Sequence, residues 1–307
     1  MAGPVANAII AGVNKAGTTS LFVSLSGHPE VAPAAVKETR YFLPPRWGNS
    51  IEPRAAYEAE WGSAGSKPVR LEATPSYFYG GNAVIDAMRE VCGPDLRVIV
   101  VLREPVARLV SFFEFQKARL RLPEAMTLPE YVAAADRMTD DDFHDSENEK
   151  WFGFRGGWYV DFLPAWRDAF GDKLHVVFFE NLMAEPKTVL GDVARFLGID
   201  PERFSDDALS SENRTTGFKN RGFQRFALAF NNRFERFLRR HYKLKDRLRA
   251  AYYRLNGRKG KAQVPEAVKE QLRERYREPN ARLAEQLRGM DVTRLPSWLT
   301  TVPASAR

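Results

Sequence analysis

One cysteine, Cys92, among 307 residues excludes an intramolecular disulfide, so the fold must rest on its core and a reducing compartment is expected. The four histidines (His28, His144, His175, His241) have no metal-ligand spacing and no carboxylate motif beside them, so no metal centre is expected. His175, inside an apolar run, reads as a packed residue. No stretch approaches the ~18 consecutive apolar residues of a membrane span. Residues 1–7 lack both the basic n-region and the apolar h-region of a secretory leader. A cytoplasmic location is therefore the expectation. Internal repeats and low-complexity linkers are also missing. What is present suits a globular protein: 44% hydrophobic and 28% charged residues, with enough chain for a sizeable core in one domain over 1–307.

The net charge of +7 is unevenly placed. Residues 221–261 hold 14 Lys and Arg against two acids, Glu235 and Asp246, a local balance of +12 that leaves −5 for the rest. Phe223, Phe226, Phe230, Phe234 and Phe237, then Leu244, Leu248, Tyr252 and Leu255, recur at three- and four-residue steps, the period of a helical face. This basic helical insertion has three readings. It packs its apolar face on the domain, it forms a lid over an acidic ligand, or it makes a peripheral contact with an anionic membrane. No nucleic-acid motif accompanies the charge, so no nucleic-acid partner is expected.

Near the start, Ala8-Ile9-Ile10-Ala11-Gly12-Val13-Asn14-Lys15-Ala16-Gly17-Thr18-Thr19-Ser20-Leu21 reads as strand, glycine-bounded loop and first helical turn. Such a loop aims backbone N–H groups and a helix N-terminus at one spot, which makes an anion site. Gly12 and Gly17 have the spacing of a Walker A loop, but Thr18 stands where that motif needs Lys, and the lysine lies inside the loop at Lys15. This is a phosphate cradle, yet not an ordinary ATP or GTP cradle.

Strands then alternate with helices, which predicts a parallel sheet with helices on its faces. Strands are expected at 7–13, 30–32, 69–73, 96–102 and 173–179. Helices are expected at 18–26, 82–91, from Pro105 onward, at 157–170, 185–197 and 264–287, the last with a possible break before Pro279. Residues 138–150 are acidic and polar, a surface loop. The most apolar strand ends in Arg103, where a magnesium-dependent P-loop enzyme commonly has a metal-binding Asp. Arginine there is an anion ligand, and Ser111, two turns down the next helix, can converge with it on a second phosphate. Two anion sites suit a nucleotide phosphorylated at both 5′ and 3′ positions. Glu38, between Lys37 and Arg40, is held ionised by its neighbours and is a candidate general base; the plain alternative is a solvated charged loop.

The block Lys15-Ala16-Gly17-Thr18-Thr19-Ser20-Leu21, with Lys37-Glu38-Thr39-Arg40-Tyr41-Phe42 and Arg103-Glu104-Pro105-Val106-Ala107-Arg108-Leu109-Val110-Ser111, resembles the donor-site motifs of sulfotransferases that use 3′-phosphoadenosine-5′-phosphosulfate (PAPS). The nearest likeness is to the heparan sulfate N- and 3-O-sulfotransferase branch. Glu72-Ala73-Thr74-Pro75-Ser76-Tyr77-Phe78, Gly157-Trp158-Tyr159, Tyr276-Arg277-Glu278-Pro279-Asn280 and Leu295-Pro296-Ser297-Trp298 are similar to its further blocks. The resemblance implies a P-loop-like three-layer α/β fold, a central parallel sheet with helices on both faces. It implies metal-free, in-line transfer of a sulfuryl group from PAPS, leaving 3′,5′-ADP (PAP), to a hydroxyl, or less readily an amine, of a carbohydrate, glycolipid or glycosylated metabolite.

By the same resemblance Lys15 stabilises charge at the oxygen bridging phosphate and sulfate. Ala16, Gly17, Thr18, Thr19 and Ser20 hold the 5′-phosphate, and Arg103 and Ser111 the 3′-phosphate. Glu38 is the base, with Lys37 positioning donor or acceptor, and Arg258, Lys259 and Gly260 belong to a late loop over the nucleotide. Arg40, Glu72 and Phe115 are assigned to the substrate side, although Glu72 reads equally as a structural partner of Arg70 or Lys37. That branch has Lys where this chain has Ala73, and often His where it has Phe115; both positions face the acceptor there. The paired cysteines around the late loop of the 3-O branch are absent. The resemblance therefore carries the donor site, while the acceptor pocket falls to loops 43–68 and 120–157. Two other classes stay open: a P-loop kinase using ATP-Mg, and a non-catalytic nucleotide-binding module.

Overall fold

The computed structural model describes residues 3–62, 64–204, 217–218, 257–258, 264–290, 292 and 294–300. Five parallel strands form the central sheet: β1 (Ala8–Gly12), β2 (Val31–Pro33), β3 (Val69–Ala73), β4 (Arg97–Leu102) and β5 (Leu174–Phe178). Their spatial order is β2-β3-β1-β4-β5. Every residue of β1 is buried, as is every residue of β4 after Arg97. Both faces of a parallel sheet are covered, which is why these strands are continuous apolar runs. Register is set by Ile9 opposite Glu72 on one side and Val98 on the other, with a shift between Ile10 and Gly12 as the strand enters the loop.

Helix α1 (Thr18–Ser26) carries the chain from β1 toward β2. After α2 (Arg54–Glu58), helix α3 (Gly81–Cys92) carries it the other way, from β3 to β4. Right-handed crossovers running in opposite directions place their helices on opposite faces. Helices α4 (Pro105–Ala118), α5 (Leu128–Ala135) and α6 (Leu163–Phe170) lead to β5, and α7 (Phe179–Ala184) and α8 (Pro186–Leu197) follow it. Accordingly α1 packs against α8, and α3 against α6. Late in the chain come α9 (Glu266–Arg288) and α10 (Ser297–Thr300). A second apolar cluster braces α4 from outside the sheet: Leu109 and Phe113 pack with Tyr131 of α5 and with Leu272 and Tyr276 of α9.

The five expected strands are present within one or two residues of their predicted limits. The stretch 157–170 departs from expectation. It is two short 3-10 turns, Arg155–Gly157 and Tyr159–Asp161, before α6 begins at Leu163. A Cβ on Gly157 would stand 2.8 Å from the Tyr276 ring, so the glycine serves close approach to α9. Trp158, at φ −85° and ψ 66°, leaves helical geometry, and Pro164 then opens α6 in its first turn. The break considered before Pro279 does not occur. Pro279 removes one helical hydrogen bond, yet α9 runs through it, with Tyr276 and Asn280 buried on either side of the proline. Residues 138–150 are short 3-10 turns on the surface, as expected.

The basic insertion 221–261 lies outside the described residues apart from Gly257–Arg258. That pair forms a short strand, β7, antiparallel to β6 (Gly217–Phe218). Arg258 is thus in a strand pair, not an open loop, while Lys259 and Gly260 lie outside the described residues. Among the described residues no helix is long and apolar enough to cross a membrane.

Candidate active site

The motif residues gather at the C-terminal ends of the strands. Lys15 to Ser20 follow β1, Lys37 to Arg40 follow β2, Thr74 follows β3, and Arg103 follows β4. The chain leaves β1 toward one edge of the sheet, while β4 lies on the other side, so the β1/β4 crevice is the topological switch point where open α/β sheets bind ligands.

The β1 loop is built by close packing. Gly17 has φ +83°, and a Cβ there would stand 2.6 Å from the Phe179 ring, so only glycine fits. Gly17 also N-caps α1, and no side chain caps that helix. A helix N-terminus without a side-chain cap is the kind of backbone arrangement at which anions bind. Ala16 and Thr18 are buried, and Thr19 and Ser20 half-buried, around this turn. By contrast α4 is capped from within: the Glu104 carboxylate accepts from the N–H groups of Val106 and Ala107.

Arg103 and Lys15 meet across the crevice. Arg103 donates from Nη1 to the Lys15 carbonyl at 2.9 Å, and its guanidinium lies 4.3 Å from the centroid of the Phe179 ring. Burial pulls the Arg103 pKa below the usual arginine value, with Glu180 the chief opposing charge. The Tyr159 hydroxyl donates to the Arg103 carbonyl at 2.8 Å. Ser111 is half-buried two turns along α4. Lys15 Nζ lies 4.5 Å from the centroid of Phe115, one turn beyond Ser111.

The Lys37–Arg40 loop is strapped to β3. The Glu38 N–H donates to the Ala73 carbonyl at 3.0 Å, and the Arg40 N–H to the Thr74 hydroxyl at 3.3 Å. Lys37 Nζ pairs with Glu38 at 2.9 Å, and Arg40 approaches its other oxygen at 3.9 Å. The Lys37 side chain is 10% exposed and that of Glu38 35%, so the carboxylate opens to solvent while the lysine is held beneath it. Lys37 and Arg40 thus flank a carboxylate that reaches solvent.

Glu72 does not pair with Arg70 or Lys37. It is fully buried, with one oxygen accepting from the hydroxyls of Thr39, Thr74 and Tyr77 at 2.6–2.8 Å and the other from Tyr57 at 2.7 Å. Burial pushes its carboxyl pKa up against these hydrogen bonds. Glu72 is thus closed off from any ligand, contrary to its substrate-side assignment, and it fixes Thr39 between Glu38 and Arg40.

Other contacts involve residues to which the motifs assign no role. Phe179, directly after β5, packs under both Gly17 and Arg103; its place at a strand end was the available signal. Arg108 is buried and donates to the Gly153 carbonyl. The Arg46 side chain, 7% exposed, lies among the rings of Trp47, Tyr79 and Phe152, with Glu149 at 3.8 Å, and so ties loop 43–68 to loop 120–157. Among the described residues no group of three or more His, Cys, Asp and Glu is placed to hold a metal ion.

Comparison with known proteins agrees with this geometry. The chain is 31% identical to human heparan sulfate glucosamine 3-O-sulfotransferase 6 over 222 residues, 69% of this chain and 57% of that protein. It is 27% identical to mouse heparan sulfate glucosamine 3-O-sulfotransferase 3B1 over 216 residues, 69% of this chain and 50% of that one. The chain thus spans about half the length of these curated relatives. Its fold matches a crystal structure of a sulfotransferase from Alicyclobacillus acidocaldarius with a TM-score of 0.60 and 23% identity, covering 76% of this chain and 95% of that one. The family model described as "Sulfotransferase domain" matches residues 6–242, a span that takes in the β1 loop, the Lys37–Arg40 loop and the Arg103–Ser111 segment, and the chain belongs to the sulfotransferase family.

Proposed function

We propose that the chain is a PAPS-dependent sulfotransferase acting on a hydroxyl of a carbohydrate, glycolipid or glycosylated metabolite. The observation that carries this reading is the Lys15–Arg103 junction at the β1/β4 crevice, with an accessible Glu38 carboxylate on the loop strapped to the neighbouring strand β3. The residues present fit a bisphosphorylated nucleotide: an uncapped α1 N-terminus, a lysine in the loop before it, and an arginine at the end of β4. When bound, PAPS supplies a sulfuryl group activated by its phosphosulfate anhydride.

The residues of the chain do the rest. The first-turn N–H groups of α1 and the hydroxyls of Thr18, Thr19 and Ser20 hold the 5′-phosphate. Arg103 and Ser111 hold the 3′-phosphate. Lys15 stabilises negative charge gathering on the leaving oxygen. Glu38 takes the proton of the acceptor hydroxyl, and Lys37 keeps its carboxylate in place. Carbohydrate as the acceptor class follows from the heparan sulfate enzymes among the relatives. A cytoplasmic setting accompanies this proposal, and residues 221–261 keep their three readings as packed face, lid or peripheral membrane contact.

Calorimetry with PAP against ATP-Mg tests the donor. Tight PAP binding that weakens roughly 10- to 100-fold in Lys15→Ala and in Arg103→Ala is expected, each variant losing a charge-assisted contact. Preference for ATP-Mg would sink the reading in favour of a kinase. Transfer of radiolabelled sulfate from PAPS into a panel of glycans, glycolipids and glycosides then identifies the acceptor. PAP binding with no transfer into any member, and no PAPS turnover, would favour a non-catalytic nucleotide-binding module.

A further inference from the structure

Ser111 and Phe115 lie four residues apart on α4 and so share one face of the helix. Ser111 belongs to the donor site, and the Phe115 ring reaches to the β1 loop, where Lys15 Nζ stands 4.5 Å from its centroid. Arg119, one turn further on, brings its guanidinium carbon to 5.5 Å from the same ring. An aromatic face attracts cations through its quadrupole, and both distances fall within the range where this attraction acts. The Lys15 backbone is fixed as well, at φ 70° and with its carbonyl held by Arg103. Between these two anchors runs a four-carbon stem whose rotamers the ring contact restricts.

We propose that Phe115 is a positioning residue for the donor site: its ring seats the Lys15 ammonium at the end of β1, so the 5′ side of the nucleotide meets a cation already in place. The proposal rests on the reading of Lys15 as the lysine of a PAPS site. Fixing a long side chain in advance removes part of the ordering cost of binding. The effect is local to the 5′ end, because the 3′-phosphate is assigned to Arg103 and Ser111.

Two substitutions separate this role from simple packing. Phe115→Leu keeps apolar bulk and removes the quadrupole, while Phe115→Tyr keeps the ring. Calorimetry is run with PAP and with 3′-AMP, which lacks the 5′-phosphate. In Phe115→Leu the PAP dissociation constant is expected to rise roughly two- to five-fold. That for 3′-AMP should stay put, and Phe115→Tyr should match the parent protein. Carbon–proton spectra of protein with 13C-labelled lysine supply a second readout. The lysine ε-methylene signal that disappears in Lys15→Ala should be shifted upfield, and that shift should be lost in Phe115→Leu, while the signal of Lys117, which lies 5.1 Å from the centroid of Phe113, stays in both. Equal weakening for PAP and 3′-AMP, or PAP binding with an unshifted Lys15 signal, overturns this proposal alone. A parent protein that binds no PAP overturns the donor reading and this proposal with it.

Discussion

Lys15, Glu38 and Arg40 have φ of 70°, 63° and 59°, a region that costs a residue with a Cβ of order 1 kcal/mol. The surrounding hydrogen bonds hold them there: Arg103 on the Lys15 carbonyl, Ala73 on the Glu38 N–H, Thr74 on the Arg40 N–H. Such strain is tolerated where it aims a side chain, and here it turns Glu38 outward while Thr39 points into the core. Glu38→Gln keeps shape and removes the base, so kcat should fall by about 10²–10⁴ while PAP affinity is preserved; unchanged turnover in steady-state sulfate transfer removes Glu38 from that role. Gly17→Ala places a methyl 2.6 Å from the Phe179 ring at a φ of +83°. It should cost about 1–3 kcal/mol in urea unfolding and weaken PAP binding, since the ring that yields also supports Arg103. In Glu72→Gln an amide donor replaces one acceptor oxygen, so at least one buried hydroxyl loses its partner. A loss of about 1–3 kcal/mol by urea titration is expected, with reduced turnover as the Lys37–Arg40 loop slackens.

At the scale of elements, the strands and their C-terminal ends were legible because parallel buried strands are apolar throughout and the chemistry sits just past them. Val98–Leu102 followed by Arg103 is such a case. The stretch 157–170 reads in sequence as one helix. That reading failed because Gly157 answers to Tyr276, more than a hundred residues away, and local periodicity carries no trace of such a partner. The Thr39–Glu72 bond, the Tyr159–Arg103 bond and the seat of Phe179 under Gly17 were hidden for the same reason. His175 did behave as the packed residue expected: it stacks on Phe196 of α8 at 4.9 Å, and burial, helped by Arg294, lowers its pKa to about 4. Since the unfolded chain binds that proton near pH 6.5, this contact between β5 and α8 keeps its full contribution above pH 6.5. The contribution is lost as pH falls toward 4. Comparing urea midpoints of the parent and His175→Phe between pH 7 and 4 should reveal a relative loss in the parent of at most about 3 kcal/mol, reduced by whatever water reaches the ring.

For the molecule as a whole, charge is divided between a basic segment, 221–261, and an acidic remainder. A ligand that binds only the folded state raises its melting temperature by mass action. At 100 times its dissociation constant PAP should add about 2.7 kcal/mol, a shift of roughly 5 °C; thermal melts with PAP and with ATP-Mg should separate the two nucleotides. The Arg103–Lys15 bond has a consequence for selection among nucleotides. It joins β4 to the loop after β1 across 88 residues of sequence, so on the proposed donor reading the two phosphate subsites keep a set spacing. They would then act as the jaws of a caliper with a set gap. A nucleotide carrying one phosphate fills one jaw and gains nothing from the other, and one whose phosphates are spaced differently fits neither pair of contacts at once. On that reading span, more than total charge, is the quantity by which the site would select.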